Sequence, residues 1–243
     1  TADATPIVET LAAMPEIPDG AQWAVFLRNH DELTLEMVTE SERDVLNGHY
    51  APEPEMRRNV GIRRRLGPLL GGDRRRVELL NAVLMSLPGT PIIYYGDEIG
   101  MGDNVHLPDR DGLRTPMQWD ATPSAGWSSA DPSRFYQPVI HDPAYGPSAV
   151  NVADQQSDGG SLLNWMRDLI SLRPTEMGTA PLDLVETGDR GVLGYRRGRV
   201  TMFANFTAEV RSVRSAGGDV VAGRATITPT SVTLEPYGWV WLE

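Results

Sequence analysis

The sequence contains no cysteine and no lysine, so all 22 of its cationic residues are arginine. Without cysteine, disulfides, thiolate zinc sites and a cysteine nucleophile are excluded together. We interpret the missing lysine as a compositional bias rather than as a functional feature. Long apolar runs are also absent. The run Ile92–Tyr95 is typical, and no segment approaches the length that crosses a bilayer, so we expect no membrane partner.

Positive charge is scarce relative to negative charge. The net charge is −11 and the pI is about 4.8, which argues against nucleic-acid binding because phosphate neutralisation needs surplus cations. A neutral small molecule such as a sugar fits this balance. The 243 residues are 40% hydrophobic and 23% charged, as in ordinary globular proteins. Neither a signal segment nor an initiator Met begins the chain, so we expect a trimmed start and a cytoplasmic location.

Two short apolar segments each end abruptly in polar residues. Trp23–Leu27 is followed by Arg28–Glu32, and Thr90–Tyr95 is followed by Gly96–Glu98. The apolar runs predict strands buried on both faces, as in parallel sheets. With a helix between them they form a βαβ unit. The polar clusters therefore lie at the C-terminal ends of the strands, where a (β/α) barrel places its chemistry.

Apolar periodicity and capping residues predict the helices. The predictions are a helix over Thr5–Met14, a helical arginine-rich region over Glu36–Leu70, a helix capped by Asp73, and a helix over Ser161–Arg173 that Ser161 caps and Pro174 stops.

Residues 100–160 show no periodicity and are rich in Asp, Pro, Gly and Ser. Because so long a loop is rare in a compact domain, and because aromatic residues are scattered through it, we predict an ordered, functional loop. Beyond it, the pattern changes to short strands separated by turns. The predicted strands are Gly198–Phe206, Val210–Val213, Ala225–Ile227 and Tyr237–Leu242. We therefore predict two domains, 1–174 and 175–243, the second of them all-β.

The cluster Asn29–Glu32 is the sharpest candidate for chemistry. A carboxylate beside an imidazole can stabilise the positive charge that develops in an oxocarbenium-like transition state. The alternative is a solvated turn at a strand end, and spacing alone leaves both open. Arg114 could pair with a carboxylate or bind sugar hydroxyls, or it could be an ordinary surface arginine. For Asp97–Glu98, capping of the next turn is favoured over catalysis.

Other polar clusters carry weaker indications. We predict that Arg63–Arg65 and Arg74–Arg76 form solvated helix faces paired with local acids rather than phosphate sites. The histidines have no ligand spacing, so no transition-metal site is predicted. Asp103–Asn104 and Asp109–Asp111 are scattered loop residues and weak evidence for calcium. We therefore expect no cofactor, with calcium in a longer protein not assignable from these residues.

Several ordered motifs resemble a known family. The residues Phe26–Asp31 and Gly89–Met101 resemble the motifs after the seventh and eighth barrel strands of the α-amylase superfamily, glycoside hydrolase family 13. Arg114–Trp119 resembles the signature of its oligosaccharide-acting branch, which includes oligo-1,6-glucosidases, sucrose isomerases and trehalose synthases. Within that branch, Asn29–Met37 and Asn59–Leu66 are most similar to trehalose synthases. The similarity extends from about Ala21 to Arg173.

The resemblance implies an α/β fold, namely the C-terminal portion of a (β/α)8 TIM barrel, strands 7 and 8 with their helices, followed by a small antiparallel β-sandwich domain. By position, Asp31 would be the catalytic, transition-state-stabilising aspartate. His30 would bind substrate beside it, Arg114 would close the far end of the glucose pocket, and Glu32 would lie near the second sugar.

The implied activity is interconversion of maltose and trehalose by retaining intramolecular α-glucosyl transfer. A hydrolase of the α-glucosidase or oligo-1,6-glucosidase type is the alternative among enzymes. The family's nucleophilic Asp and acid/base Glu follow the fourth and fifth strands, whose motifs this sequence does not contain. We therefore expect the chain alone to be inactive, or to be a sugar-binding or interaction module. The N-terminal part of the barrel, or homo-oligomerisation, is expected to complete it.

Overall fold

The structure is a computed structural model that describes residues 2–177 and 180–243. The chain divides into two compact units. Unit 1 comprises Thr1–Val25, Glu78–Ile92 and Asp168–Glu243, and unit 2 comprises Phe26–Val77 and Ile93–Arg167. The proposed division at residue 174 remains a prediction.

The described residues form α-helices and four single-turn 3-10 helices. The α-helices are α1 (Thr5–Ala12), α2 (Glu40–Tyr50), α3 (Leu66–Leu69), α4 (Arg74–Ser86), α5 (Val152–Ser157) and α6 (Leu162–Glu176). The 3-10 turns are Pro54–Met56, Asp97–Ile99, Asp111–Leu113 and Pro132–Arg134. Among the described residues, no helix combines the length and apolar character needed to cross a bilayer.

Capping side chains fix where several helices begin. The carboxylate of Asp73 accepts a hydrogen bond from the Arg75 N–H at 3.0 Å, and Ser161 Oγ accepts one from the Asn164 N–H at 3.1 Å. Both predicted caps are confirmed. The predicted stop at Pro174 is wrong, because α6 continues to Glu176, three residues beyond the predicted end at Arg173. The fixed φ of proline is itself close to the helical value, so a proline in the last turn need not end a helix.

The prediction of a helical region over Glu36–Leu70 is wrong for most of its length. Only α2, which Thr39 and Glu42 cap reciprocally, the 3-10 turn Pro54–Met56 and the single turn α3 are helical. Between them lie β3 (Arg57–Arg58) and β4 (Gly61–Ile62), joined at Asn59, whose φ is +51°. A left-handed residue turns the chain back and ends any helix there. β4 also pairs with β2 (Leu33–Thr34), which gives the antiparallel order β2-β4-β3.

The two barrel-type strands are adjacent, as the βαβ pattern predicts. β1 (Ala24–Phe26) and β5 (Thr90–Ile92) form a two-stranded sheet, and the Thr90 N–H donates to the Trp23 carbonyl at 2.7 Å. The prediction that both strands are buried on both faces is wrong, because Trp23, Phe26 and Ile92 are 37%, 47% and 46% exposed. A strand in a closed barrel is buried by neighbours at both edges, whereas these two strands pair only with each other in the described chain.

The segment 100–160 is ordered around its own apolar core, as predicted, although α5 within it was not anticipated. This core consists of Ile99, Met101, Met117, Ile140 and Val152, with Tyr145, Val150 and Leu163 packed against it. A second core in unit 2 joins α2 to the small sheet through Leu35, Ala51 and Ile62. Long loops need such internal packing to hold one conformation.

The C-terminal residues form two antiparallel sheets. The five-stranded sheet has the order β10-β13-β8-β7-β6 and the three-stranded sheet the order β11-β12-β9. Their strands are β6 (Leu182–Leu184), β7 (Val192–Arg197), β8 (Val200–Asn205), β9 (Arg211–Arg214), β10 (Val220–Gly223), β11 (Thr226–Thr228), β12 (Ser231–Leu234) and β13 (Trp239–Leu242). Four of them match the predicted segments, and β6, β7, β10 and β12 were missed.

One apolar core joins the two sheets. Val192, Phe203 and Val240 of the larger sheet pack in the same cluster as Val213 and Val232 of the smaller sheet. Two antiparallel sheets that share an inner face form a β-sandwich. The predicted small sandwich is therefore confirmed.

Buried polar contacts tie this sandwich to the end of α4 within unit 1. The hydroxyl groups of Ser86 and Tyr195 lie 2.6 Å apart and are buried. Arg197 donates to the carbonyl oxygens of Ser86 and Leu87, and Arg173 donates to those of Leu87 and Gly89. The residues leading into β5 are thus held by hydrogen bonds from the sandwich and from α6.

Candidate active site

The carboxylate of Asp31 lies among two guanidinium groups and an imidazole in unit 2. Its Oδ1 is 2.9 Å from Nη2 of Arg114 and 3.1 Å from Nε of Arg110, and its Oδ2 is 3.3 Å from Nε2 of His30. The Asp31 side chain remains 43% exposed. The arrangement is a fixed carboxylate with one face open, which is what stabilisation of a developing cation requires.

The turn that presents Asp31 is held from inside the fold. Oδ1 of Asn29 accepts a hydrogen bond from the Asp31 N–H at 2.9 Å, as in an Asx turn. The buried Arg28 side chain donates to the Asp31 carbonyl at 2.9 Å and to the Arg64 carbonyl at 2.7 Å. Arg28 therefore faces the interior, whereas the side chains of His30 and Asp31 face outward.

Glu32 pairs with Arg110 through two hydrogen bonds, at 2.7 and 3.1 Å, and accepts a third from Nδ2 of Asn59 at 2.7 Å. Burial alone would raise the pKa of Glu32, but the hydrogen bonds from its own backbone, Asn59 and Arg110 outweigh this effect and lower the pKa. Both carboxylate oxygens are therefore occupied by protein donors. The two hydrogen bonds from Arg110 to Glu32 hold the Arg110 guanidinium against Asp31.

Arg114 is positioned through the peptide groups on both sides of it. Its Nε donates to the His30 carbonyl at 3.1 Å. The carbonyl of the preceding Leu113 accepts from the Tyr94 hydroxyl at 2.9 Å, and that of the following Thr115 accepts from the Tyr95 hydroxyl at 2.7 Å. The eighth-strand motif therefore supports the segment that carries Arg114.

The structure brings together the four predicted site residues, which are His30, Asp31, Glu32 and Arg114. Arg114 lies 84 residues after His30 and 83 residues after Asp31 in the sequence. Sequence reasoning missed Arg110, Arg28 and Asn59. A charged residue directly after an apolar strand was the available signal for Arg28. Arg110 carried no signal beyond its acidic neighbours, and Asn59 was visible only as part of the trehalose-synthase-like motif.

Asp97 and Glu98 lie apart from the Asp31 cluster. Asp97 is buried, 3.8 Å from Nη1 of Arg65, and burial raises its pKa to about 7. The pKa of Glu98 is raised by burial as well. Both residues belong to the 3-10 turn Asp97–Ile99. Desolvation is the largest cause of both shifts, because burial disfavours the charged form of a carboxyl group.

The interpretation of Arg63–Arg65 as a solvated helix face is wrong. Arg63 and Arg65 are 6% and 1% exposed, and Arg64 pairs with Asp103 at 3.0 Å. Arg63 donates to four carbonyl groups, among them those of Glu55 and Val105, and so organises the loop near residue 107. A run of arginines can be buried when backbone carbonyls satisfy its donors.

Two of the acids considered for calcium, Asp103 and Asp109, already have cationic partners. Asp103 binds Arg64 and accepts a hydrogen bond from the Arg65 N–H, and Asp109 binds Arg58 and Arg110. Across residues 2–177 and 180–243, no three His, Asp or Glu side chains come close enough together to hold a metal ion.

Comparison with known proteins places these observations in a family. The family described as "Alpha amylase, catalytic domain" matches residues 59–179. The chain is 58% identical over 168 residues to a trehalose synthase/amylase of Mycobacterium tuberculosis, and the matched region covers 69% of this chain and 28% of that protein. It is 49% identical over 212 residues to a trehalose synthase of Thermus thermophilus, which covers 84% of this chain and 22% of that protein.

A solved structure agrees on the fold. An α-glucosyl transfer enzyme, XgtA, superposes with a TM-score of 0.67 at 20% identity, covering 99% of this chain and 43% of that one. The predicted fold class, barrel elements followed by a β-sandwich, is thereby confirmed. The chain spans only about a quarter of the length of the curated relatives, 28% and 22% in the two cases above. By sequence, residues 59–179 belong to the α-amylase catalytic-domain family, and the chain is related to trehalose synthases over most of its length.

Proposed function

We propose that this chain is the C-terminal part of an enzyme that interconverts maltose and trehalose by retaining intramolecular α-glucosyl transfer. We call that longer protein the parent enzyme. The observation that carries the proposal is the open carboxylate of Asp31 between Arg114, Arg110 and His30. The similarity to trehalose synthases supports the choice of substrates.

In this proposal Asp31 stabilises the transition state. As the bond to the leaving glucose breaks, positive charge develops at the anomeric carbon, and an aspartate fixed in place stabilises it without reorganising. Arg110 and Arg114 hold Oδ1 from one side, so that the carboxylate faces the substrate in one orientation. Asp31 serves neither as nucleophile nor as acid/base, which come from strands outside this chain.

The neighbouring side chains bind the sugar. His30 is 61% exposed beside Asp31 and can donate to a glucose hydroxyl. Arg114 closes the far end of the glucose pocket. Glu32 lies near the second sugar and also holds Arg110 in place, because both of its oxygens bind that guanidinium.

Isomerisation rather than hydrolysis requires that water be kept from the glucosyl intermediate while the released glucose reorients in the pocket. The loop 100–160 is the proposed cover. It is ordered by its own core, and it exposes Trp119, Trp127 and Tyr136. Flat aromatic faces of this kind stack on sugar rings.

The remaining strands of the barrel, from the N-terminal part of the parent enzyme or through homo-oligomerisation, are proposed to cover β1 and β5 and to supply the other two carboxylates. The chain by itself is then inactive. The parent enzyme acts in the cytoplasm, on neutral α-glucosides rather than on nucleic acid or membrane.

The products formed from maltose test the proposal. The parent enzyme is incubated with maltose, and the sugars are separated by chromatography, with this chain alone as a parallel sample. We expect trehalose as the main product from the parent enzyme and no turnover by the chain alone. Glucose as the sole product would replace isomerisation by hydrolysis, and turnover by the chain alone would refute the assignment of the missing carboxylates.

A further inference from the structure

We propose that Arg65 is a positioning residue that sets Arg114 against Asp31 and so determines how tightly the substrate is held. The inference rests on the function proposed above, because its readout is substrate binding by Arg114. Arg65 contacts neither Asp31 nor the open face of the cluster. Its influence passes through backbone groups.

The Arg65 guanidinium is buried against two adjacent aromatic rings. Its Cζ lies 4.7 Å from the ring centroids of both Tyr94 and Tyr95, and its side chain is 0% exposed. Cation–π contacts are strongest when the cation is desolvated in this way. The planar guanidinium is therefore fixed in orientation, which a flexible ammonium would not be.

Two of its nitrogens bind backbone carbonyls in different segments. Nη1 donates to Tyr95 at 2.6 Å, and Nη2 donates to Leu113 at 2.7 Å. Since Leu113 directly precedes Arg114, the second bond fixes the peptide from which the Arg114 side chain extends. The Tyr94 hydroxyl binds the same carbonyl, so Leu113 is held by two donors.

The backbone around Arg65 is also linked to Asp31. The carbonyl of Arg64 accepts from Nε of Arg28, whose Nη2 donates to the Asp31 carbonyl. Oδ2 of Asp103 accepts from the Arg65 N–H at 2.7 Å and fixes the segment from the other side. A single rigid stretch, Arg64–Arg65, therefore connects the backbone of Asp31 to that of Arg114.

These backbone contacts restrict the geometry of the Arg114–Asp31 pair. The Arg114–Asp31 contact of 2.9 Å joins two partly exposed side chains, which by themselves would sample several rotamers. Fixing both backbones from behind reduces that freedom. A displacement of about 1 Å in an active site can cost on the order of 100-fold in rate.

The test uses Arg65→Lys and Tyr94→Phe in the parent enzyme, with Arg196→Lys as the matched control. Arg65→Lys keeps the charge but loses the planar fork. Tyr94→Phe removes one donor to Leu113 and keeps the ring. Arg196 forms a surface pair with Asp183, both more than half exposed, and its substitution should leave kinetics unchanged.

We expect Arg65→Lys to raise KM for maltose about 10-fold and Tyr94→Phe to raise it about 3-fold, in line with the cost of small misplacements. A change that merely unfolds part of the sample lowers apparent kcat and leaves KM unchanged. If Arg65 acts through Arg114, then Arg65→Lys should add little to KM in an Arg114→Ala background.

The outcomes are separable. Unchanged KM in both single variants, or fully additive effects in the double variant, would overturn the positioning role. If Arg65→Lys fails to fold, Tyr94→Phe and its combination with Arg114→Ala decide the question alone. Near-normal kinetics of Arg114→Ala itself would overturn the positioning role too, because Arg114 would then not bind substrate. Failure of the unmodified parent enzyme to form trehalose from maltose would instead refute the proposed function, whatever Arg65 does.

Discussion

Nη2 of Arg114 lies 2.9 Å from Oδ1 of Asp31, across 83 residues of sequence. The pair joins the seventh-strand motif to the segment that marks the oligosaccharide-acting branch. Each motif could be recognised separately in the sequence, and the contact shows that the fold brings residues of the two motifs together.

Replacing Arg114 by Lys should weaken substrate binding more than it weakens the fold. Lysine keeps the charge but cannot bind the His30 carbonyl and the Asp31 carboxylate from one planar group. We expect kcat/KM for maltose to fall about 10- to 100-fold in the parent enzyme, while the melting temperature changes little. Arg167→Lys, at an exposed position that binds Asn164, is the control. An unchanged kcat/KM would remove Arg114 from the site.

The ion pair between Glu32 and Arg110 should make the free energy of unfolding depend on pH under acidic conditions. Its folded pKa lies below the ordinary 4.5, so its stabilising contribution is present above that value and is lost as the pH falls through the folded pKa. Urea unfolding of the parent enzyme between about pH 6 and 3 should therefore show a smaller acid loss in Glu32→Gln than in the unmodified protein. Equal acid losses in the two proteins would contradict this assignment.

The contribution of Asp97 to the free energy of unfolding should change with pH in the opposite direction to that of Glu32. Burial raises its pKa from 3.8 to about 7, so the folded state retains a proton that the unfolded state releases. The contribution to stability therefore falls as the pH rises from 3.8 towards 7. We expect the free energy of unfolding of Asp97→Asn to vary less over this range than that of the unmodified protein. A steeper variation in the variant would show that the sign is wrong.

The hydroxyl of Tyr195 should stabilise unit 1. In Tyr195→Phe the ring still fills its place, and Ser86 keeps its bonds to the Ala82 and Val83 carbonyls. The loss is then the buried hydrogen bond to Ser86 and the longer contact of 3.4 Å to the Val83 carbonyl, together about 1 kcal/mol in the free energy of unfolding. Urea denaturation measures it, with Tyr136→Phe as the control because Tyr136 is 93% exposed. Equal stability of the two variants would contradict the assigned role.

The sequence predicted the parts of the fold that depend on local signals. Asp73 and Ser161 cap their helices because their side chains bind N–H groups two or three residues away. Strands such as β13 were visible from apolar, aromatic and β-branched content. Strand β7 was missed, because Gly194, Arg196 and Arg197 interrupt its pattern and its burial comes from tertiary contacts.

The prediction for the arginine run Arg63–Arg65 was wrong for a related reason. Nothing within residues 63–65 distinguishes a solvated helix face from buried donors, because the carbonyls that satisfy Arg63 and Arg65 lie 30 to 48 residues further along the chain, apart from that of Glu55. The four candidate site residues could be predicted because they lie in recognisable motifs. Arg110, which binds both Asp31 and Glu32, could be found only when the loop was folded against them.

The central claim, that Asp31 stabilises the transition state of glucosyl transfer, is tested most directly by Asp31→Asn in the parent enzyme. Initial rates of trehalose formation from maltose are compared with those of Asp19→Asn, an exposed aspartate outside the site. The account predicts a loss of kcat of at least about 100-fold for Asp31→Asn, with an unchanged melting temperature and no loss in the control. Near-normal kcat in Asp31→Asn would contradict it.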